Sequence, residues 1–392
     1  MGGGYLVRLW HKRRYLGIAV DPGYNFLENL FNEGFTIADI DIIVVTHAHP
    51  DHTENLTNLF TLLFERNKRM ADEEKQNDEI SAPIDHRVFL LVTEGVFERY
   101  QSMLRETKTY VRDVVVLKAV GWPGSEASSA AVRVSVCTNE QLSCCIELSG
   151  NTEHAFKGEE CVAVIQAKRA WHDDQTEHDS IGIVVTYWGE SKQPKVIGIL
   201  GDSKYHEELY RDYSDCSVLI AHLGSLISKP YYRPPYEKRI DYEKIIKDED
   251  HLYLPGLTRL ICDLKNRNGN KKFPLLVLSE FGEELRGGLR KDLARRLALG
   301  VQKEPLPIVP ADVGLRIDIE EQRIFCSICH NYFEWKAITA ESVLPHEEAL
   351  AFVCEDCSLL RAGELPRLLE DWCTTGRPVI QLNGARGSTG SP

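Results

Sequence analysis

Residues 41–52 read Asp41-Ile42-Ile43-Val44-Val45-Thr46-His47-Ala48-His49-Pro50-Asp51-His52. The apolar run Ile42 to Val45 predicts a short buried strand that opens into a loop at Thr46. Three imidazoles and a carboxylate crowd into the six residues after it. Packing does not explain them, because a core avoids charge and a surface loop has no reason to concentrate histidine. Zinc is bound by His nitrogens and carboxylate oxygens, and a loop at the end of a rigid strand holds such ligands in place. Alternation along an extended segment sends His47 and His49 toward one metal. Asp51 and His52, on the turn into the next helix, can reach a second.

Outward from this stretch, Val- and Ile-rich runs alternate with amphipathic stretches. Strands are expected at 15–22, 41–47, 87–94, 113–120, 131–137, 161–168, 180–188, 195–202, 217–223 and 274–280. Helices are expected at 25–34, 54–69, 95–106, 206–213 and 283–300, with Asn25 and Asn55 as N-caps. The segment 67–85 is highly charged without an apolar period and reads as an exposed loop. So does 266–272, with Gly269 between asparagines. No internal repeat is visible. The fold class is α/β.

The motif Thr46-His47-Ala48-His49-Pro50-Asp51-His52 resembles the HxHxDH signature of the metallo-β-lactamase superfamily. The residues before it, 21–47, resemble that family's strand, Asp-x-Gly turn, helix and strand, and the likeness extends over roughly Gly4 to Ala311. The resemblance implies an αββα metallo-β-lactamase sandwich with a binuclear metal site at one edge, holding two zinc ions or other divalent metals. It also implies further ligands downstream. His172, just past the strand at 161–168, matches the third motif, whereas His178 lies in a polar run and reads as solvated. Asp202, in a strand ending Gly201-Asp202, matches the fourth and can bridge two cations.

The fifth motif is a histidine after a strand, and here the sequence departs from the pattern. His222, His251 and Glu280 all stand as alternatives for completing the second metal, His222 foremost because it ends an apolar run. His251 has a second reading as proton donor to a leaving group, by analogy with the tRNA 3′-processing endonucleases of the superfamily. Glu283 and Glu284 read as solvent-facing or as orienting a ligand. The resemblance thus implies one metal on His47, His49 and His172. A second is implied on Asp51, His52, Asp202 and His222, with Asp51 orienting a hydroxide nucleophile held between the metals.

A Pro-rich stretch at 304–312 marks a break, and beyond it the cysteines change character. Cys326-x-x-Cys329 and Cys354-x-x-Cys357 have the spacing of two knuckles on one structural zinc, with His330 beside the first. The expected organisation is a metallohydrolase domain over 1–310, a small zinc-ribbon-like module over 311–375 with a helix at 365–372, and a disordered tail over 376–392. Cys137, Cys144, Cys145, Cys161, Cys216, Cys262 and Cys373 read as apolar filler or as unpaired.

The chain has 392 residues, 43% apolar and 27% charged, the balance of a globular protein rather than a disordered or collagen-like one. No apolar stretch is long enough to span a membrane, and residues 1–14 do not form a signal peptide, so a cytoplasmic protein is expected. The chain enters its first strands just after three glycines. Either the fold lacks an edge strand or the natural protein starts upstream. With 46 basic against 59 acidic residues the net charge is −13, so nucleic acid would have to be met by a local basic groove. The aromatic and basic run Lys229 to Arg239 suits such a recognition loop beside the site, or a rigid surface loop.

Three functions remain in play. The first is a phosphodiesterase or nuclease, favoured by the Asp at the fourth motif and by the ribbon. The second is a hydrolase of small esters, lactones or thioesters. The third is a metal-bound scaffold that docks a protein partner through the ribbon. A steep salt dependence of nucleic-acid binding would separate the first from the others.

Overall fold

In the computed structural model the described residues are 4–11, 14–76, 87–105, 110–119, 131–135, 145–149, 161–172, 180–189, 193–226, 246–247, 251–267, 272–282, 285, 288–300, 306–326 and 331–335. They form two sheets stacked face to face. The first has the order β1-β2-β3-β4-β5, built from β1 Tyr5–His11, β2 Arg14–Val20, β3 Ile42–Val45, β4 Val88–Val92 and β5 Val111–Val116. Strands β2 to β5 run parallel, and β1 folds back antiparallel along β2 from Tyr5↔Val20 to His11↔Arg14.

The second sheet has the order β13-β12-β11-β10-β9-β8-β6-β7. Its strands are β6 Ala131–Ser135, β7 Cys145–Ser149, β8 Cys161–Arg169, β9 Ile181–Tyr187, β10 Lys195–Ile199, β11 Val218–His222, β12 Leu275–Ser279 and β13 Ile308–Pro310. The strands from β10 to β13 are parallel and those from β7 to β10 antiparallel.

The side chains of β3 show why this is a four-layer sandwich. All four are buried, because a central parallel strand is covered on both faces. Ile42 and Val44 point into the core between the sheets, with Ile18, Ile165, Ile183, Ile199 and Val277. Ile43 and Val45 point the other way, onto Phe26, Leu30, Leu59, Phe60, Leu63 and Val96 of the helices α1 Phe26–Asn32, α3 Leu56–Gln76 and α4 Glu94–Leu104. On the far side of the second sheet a third apolar layer joins Leu219, Ala221 and Leu276 to α5 Leu209–Tyr213, α6 Leu254–Asn266 and α7 Gly288–Gly300. Period-two alternation thus feeds two cores from each sheet. The expected αββα sandwich is the architecture found.

Several local expectations change. The hairpin strand β1 was not among the expected strands, and it supplies the outer edge of the first sheet. The charged segment after residue 66 is not all loop: α3 runs on to Gln76. Its Lys, Arg, Met, Ala, Glu and Gln residues are good helix formers that need no buried face once Leu56, Leu59, Phe60 and Leu63 have anchored the first turns. Neither Asn cap acts as expected. Asn25 sits at the N-cap with φ 60° but its side chain makes no capping bond, and the Asn55 side-chain oxygen Oδ1 accepts instead from the Leu27 amide at 3.3 Å.

Past β13 come three short strands, β14 Ile317–Asp318, β15 Arg323–Phe325 and β16 Tyr332–Glu334, in a small antiparallel sheet. They pack on the sandwich. Ile324, Cys326 and Trp335 join the inter-sheet core, and Arg316 reaches the Glu33 carboxylate at 2.8 Å. Cys326 is buried at the end of β15, its amide donating to the Asn331 carbonyl at 2.9 Å. Cys329, His330, Cys354, Cys357 and the helix at 365–372 lie outside the described residues. So do His178, Glu283, Glu284 and the run Lys229 to Arg239.

Candidate metal centre

The edge where β2, β3, β11 and β12 end gathers the histidines. Strand β2 stops at Val20, and Asp21 follows with φ 49°, a left-handed turn that a short polar side chain can adopt. Two residues on, Gly23 lies so close to the following loop that a Cβ would stand 1.5 Å from the Asp51 carbonyl oxygen. The Asp-x-Gly turn is therefore a steric requirement of the histidine loop. That loop is also held from within. Pro50 opens the short helix α2 Pro50–Thr53, and the His52 amide and Thr53 hydroxyl both donate to the His49 carbonyl. From α4, the Arg99 guanidinium donates to the Ala48 carbonyl.

Two groups of side chains converge here, in each of which one ligand atom per residue lies within 4.8 Å of every other. The first is His47, His49, His172 and Asp202, and the second is His52, Asp202, His222 and Glu280. Asp202 belongs to both. Its Oδ2 stands 3.5 Å from His47 Nε2 and from His52 Nε2, and its Oδ1 stands 3.0 Å from His222 Nδ1. His172 Nε2 faces His49 Nδ1 at 3.4 Å.

All three alternatives for the fifth motif meet at this place. His222 ends β11, Glu280 follows β12 with φ 51°, and Glu280 Oε2 lies 3.1 Å from His222 Nδ1 and 3.4 Å from His52 Nε2. His251 Nε2 stands 3.3 Å from Asp202 Oδ2, with its ring 4.4 Å from that of His172. Gly224 makes room for it, since a Cβ there would be 2.9 Å from His251 Cβ. Asp51 is in neither group. It stands 3.8 Å from His52 Nε2, with its side chain 38% exposed.

The electrostatics are those of a cation site. Burial opposes charge on His52 and His222, yet the carboxylates that face them outweigh it. Glu280, Asp21 and Asp202 raise His52 well above the usual histidine range, while Glu280 and Asp202 push His222 up to about 10. Asp202 is held well below the carboxylate range, the hydrogen bonds from His222, His251 and His52 overcoming its burial. Burial and the neighbouring His52 push His47 well below its usual value, against the pull of Asp202, leaving a neutral imidazole of the kind that ligates metals.

The donor set fits divalent metals. His47 Nε2, His52 Nε2 and Glu280 Oε1 are buried without a hydrogen bond of good geometry, a cost that a cation between them would remove. One group offers three imidazoles and a carboxylate, the other two of each.

Four further residues, Asp21, Thr46, Tyr5 and Ser279, support the ligands from outside both groups. The Asp21 carboxylate accepts from the Thr46 amide and hydroxyl, each at 2.7 Å, and faces His52 Nδ1 at 3.1 Å. From β1, the Tyr5 hydroxyl reaches His222 Nε2 at 3.0 Å and also bonds the Ser279 hydroxyl. Asp21 and Thr46 stood in the Asp-x-Gly turn and the histidine motif, whereas nothing in the sequence pointed to Tyr5 or Ser279.

Comparison with known proteins follows the same lines. A family model described as the metallo-beta-lactamase superfamily matches residues 17–62. No curated protein matches the sequence significantly. Among solved structures, the chain is similar to the metallo-beta-lactamase fold protein YhfI from Bacillus subtilis, at 11% identity and TM-score 0.41 over 72% of this chain and 79% of that one. It is similar to the short form of human tRNase Z at 16% identity and TM-score 0.40, over 72% and 88% of the two chains. It is also similar to a diphosphatase of the PhnP family at 15% identity and TM-score 0.43, over 80% and 83%. The match over 17–62, the order of the two sheets and the paired clusters at their edge give this chain the metallo-beta-lactamase fold.

Proposed function

We propose that the chain is a metal-dependent hydrolase with two divalent cations, most readily zinc, acting on a phosphodiester. The observation that carries the reading is the carboxylate of Asp202, which belongs to both ligand groups at once. His47, His49 and His172 would hold one cation, and His52, His222 and Glu280 the other, with Asp202 between them. Bound there, such cations lower the pKa of a coordinated water and stabilise developing negative charge on the substrate.

The chain's own groups then divide the remaining work. Asp51 is partly exposed, stands beside His52 and lies outside both groups, so its carboxylate is free to orient the attacking water. His251 is 31% exposed on its side chain, with its Nε2 3.3 Å from Asp202 Oδ2. It can hold a proton at Nε2 for a leaving oxygen. A hydrolase needs both an open face and a proton donor beside it, and His251 supplies the second. Buried Asp21 and half-buried Tyr5 restrain the second group from behind.

The cysteines of 311–375 are proposed to hold a structural zinc through Cys326, Cys329, Cys354 and Cys357, and so to offer a docking surface to a protein partner. Support comes from Cys326, buried at the base of the β15–β16 hairpin with its amide closing a turn onto Asn331. Among the described residues no helix is long and apolar enough to cross a membrane.

The test is hydrolysis of an activated phosphodiester by metal-replete protein, with Asp51→Ala as control. Turnover that disappears in the variant, with fold and metal content unchanged, supports the assignment. Turnover only on esters, lactones or thioesters keeps the hydrolase and removes the phosphodiester. No turnover on either class, with both metals present, leaves the scaffold role.

A further inference from the structure

We propose that Tyr5 is a positioning residue of the second metal group, setting the tautomer of His222 and the turn that presents Glu280; this rests on the two-cation reading above. Tyr5 is the first residue of β1, which pairs antiparallel with β2 in the register Tyr5↔Val20, beside Asp21. Although it belongs to the first sheet, its hydroxyl bonds two residues of the second, 217 and 274 positions away.

Those two residues face one another. His222 and Ser279 are a cross-strand pair of β11 and β12, and Glu280 follows Ser279 directly. The phenol oxygen therefore caps one rung at the end of the sheet, touching the residue before Glu280 and the ring of His222 together. The two rings lie nearly parallel, with centroids 5.9 Å apart and a 30° tilt.

Hydrogen-bond bookkeeping fixes the rest. His222 Nδ1 faces Asp202 Oδ1 at 3.0 Å and Glu280 Oε2 at 3.1 Å, so Nδ1 is the atom turned toward a cation in this group. A ligating Nδ1 must present its lone pair, and the ring proton then sits on Nε2. Nε2–H donates to the Tyr5 oxygen, and the Tyr5 hydrogen passes to Ser279 Oγ. A hydroxyl can accept one bond and donate another in this way, whereas phenylalanine fills the same space and does neither. Nothing in core packing requires the polar atom. A buried hydroxyl with both partners on the opposing sheet is there for the ligand it holds.

The experiment titrates metal-free protein with Zn2+ and with Co2+, following stoichiometry, affinity and the cobalt absorption spectrum. In Tyr5→Phe the first equivalent binds as in the parent protein, while the second weakens about 10- to 100-fold and the cobalt spectrum of that site changes. Ser279→Ala shifts the second equivalent in the same direction by a smaller factor. His222→Ala, the control, loses the second equivalent. Should Tyr5→Phe bind both equivalents as the parent does while His222→Ala loses one, the inference about Tyr5 is overturned and the two-cation reading stands. Should His222→Ala retain both, that reading falls and the role of Tyr5 falls with it. Equal weakening of both equivalents in Tyr5→Phe would mark a general structural role and overturn the inference. If Tyr5→Phe fails to fold, Ser279→Ala decides: an unchanged second equivalent overturns the proposal.

Discussion

The Asp21 carboxylate lies 3.1 Å from His52 Nδ1 while the opposite nitrogen of that ring faces Asp202 and Glu280 at 3.5 and 3.4 Å. One buried imidazole is thus held from behind by one carboxylate and aimed by its other nitrogen at two more. Asp21 also secures the start of the histidine loop through both donors of Thr46.

The pair makes Asp21 a support of fold and site together. Asp21→Asn keeps a side chain tolerant of the left-handed turn but removes the charge and one acceptor. Charge-assisted hydrogen bonds carry roughly 1.5–3 kcal/mol each. A loss of about 2–3 kcal/mol in unfolding free energy is expected, with a second metal equivalent weakened about 10-fold or more. Denaturant unfolding and metal titration read the two effects. A variant as stable as its parent, with both equivalents unchanged, would show that His52 needs no support from behind.

Gly23 makes a steric prediction. With a Cβ 1.5 Å from the Asp51 carbonyl oxygen, Gly23→Ala cannot fit without displacing the loop that carries His49, Asp51 and His52. Backbone shifts forced by overpacking cost about 1–3 kcal/mol. Thermal unfolding should report that loss, and metal affinity should fall with it. Gly34→Ala is the contrast, since nothing lies within 4 Å of a Cβ there and only its φ of 82° works against the change.

What could be read from the sequence follows how local each signal is. The run Ile42 to Val45 and the histidines after it announce strand, loop and metal chemistry within a dozen residues, and the structure brings His47, His49 and His52 together. His172 and Asp202 were reachable because each follows a recognisable strand. The fifth motif stayed open between His222, His251 and Glu280 because several strands end at one edge of the sheet. The structure gathers all three around Asp202. Tyr5 reaches His222 and Ser279 by hydrogen bonds across more than 200 residues, and no spacing records such bonds. Helix α6 is a different omission. Its apolar residues Leu257, Leu260, Ile261 and Leu264 have helical spacing, but Pro255 and Gly256 at its start resemble a turn. Proline is well tolerated in a first helical turn.

Alkaline stability should depend on Cys216. Burial behind β10 and β11 pushes its thiol up to about 12, with Asp215 adding to the shift. A raised value means that the folded protein favours the neutral thiol. The resulting stability is complete below the thiol's ordinary value near 9 and is lost as pH rises through about 12. Replacing it, Cys216→Ala, removes the titrating group and leaves a small packing cost that does not vary with pH. The stability difference between parent and variant should therefore shrink between pH 9 and 12, as followed by denaturant unfolding. A constant difference over that range would rule out the thiol as the cause.

His251 can be tested through the leaving group. General acid catalysis helps in proportion to how badly a departing oxygen needs a proton, and it contributes roughly 10²- to 10⁴-fold where the need is greatest. A nitrophenolate leaves readily without one, whereas an alkoxide or ribose hydroxyl does not. His251→Ala should therefore bind two metal equivalents and hydrolyse an activated diester within a few-fold of the parent rate, while falling about 100-fold or more on an unactivated one. His251 lies outside both four-residue groups, although its Nε2 is 3.3 Å from Asp202, so intact stoichiometry is part of the expectation. Equal losses on both substrates would place His251 in binding or metal support instead. With Gly224 leaving just enough space for this imidazole, Gly224→Ala should reproduce the same selective loss while His251 is still present.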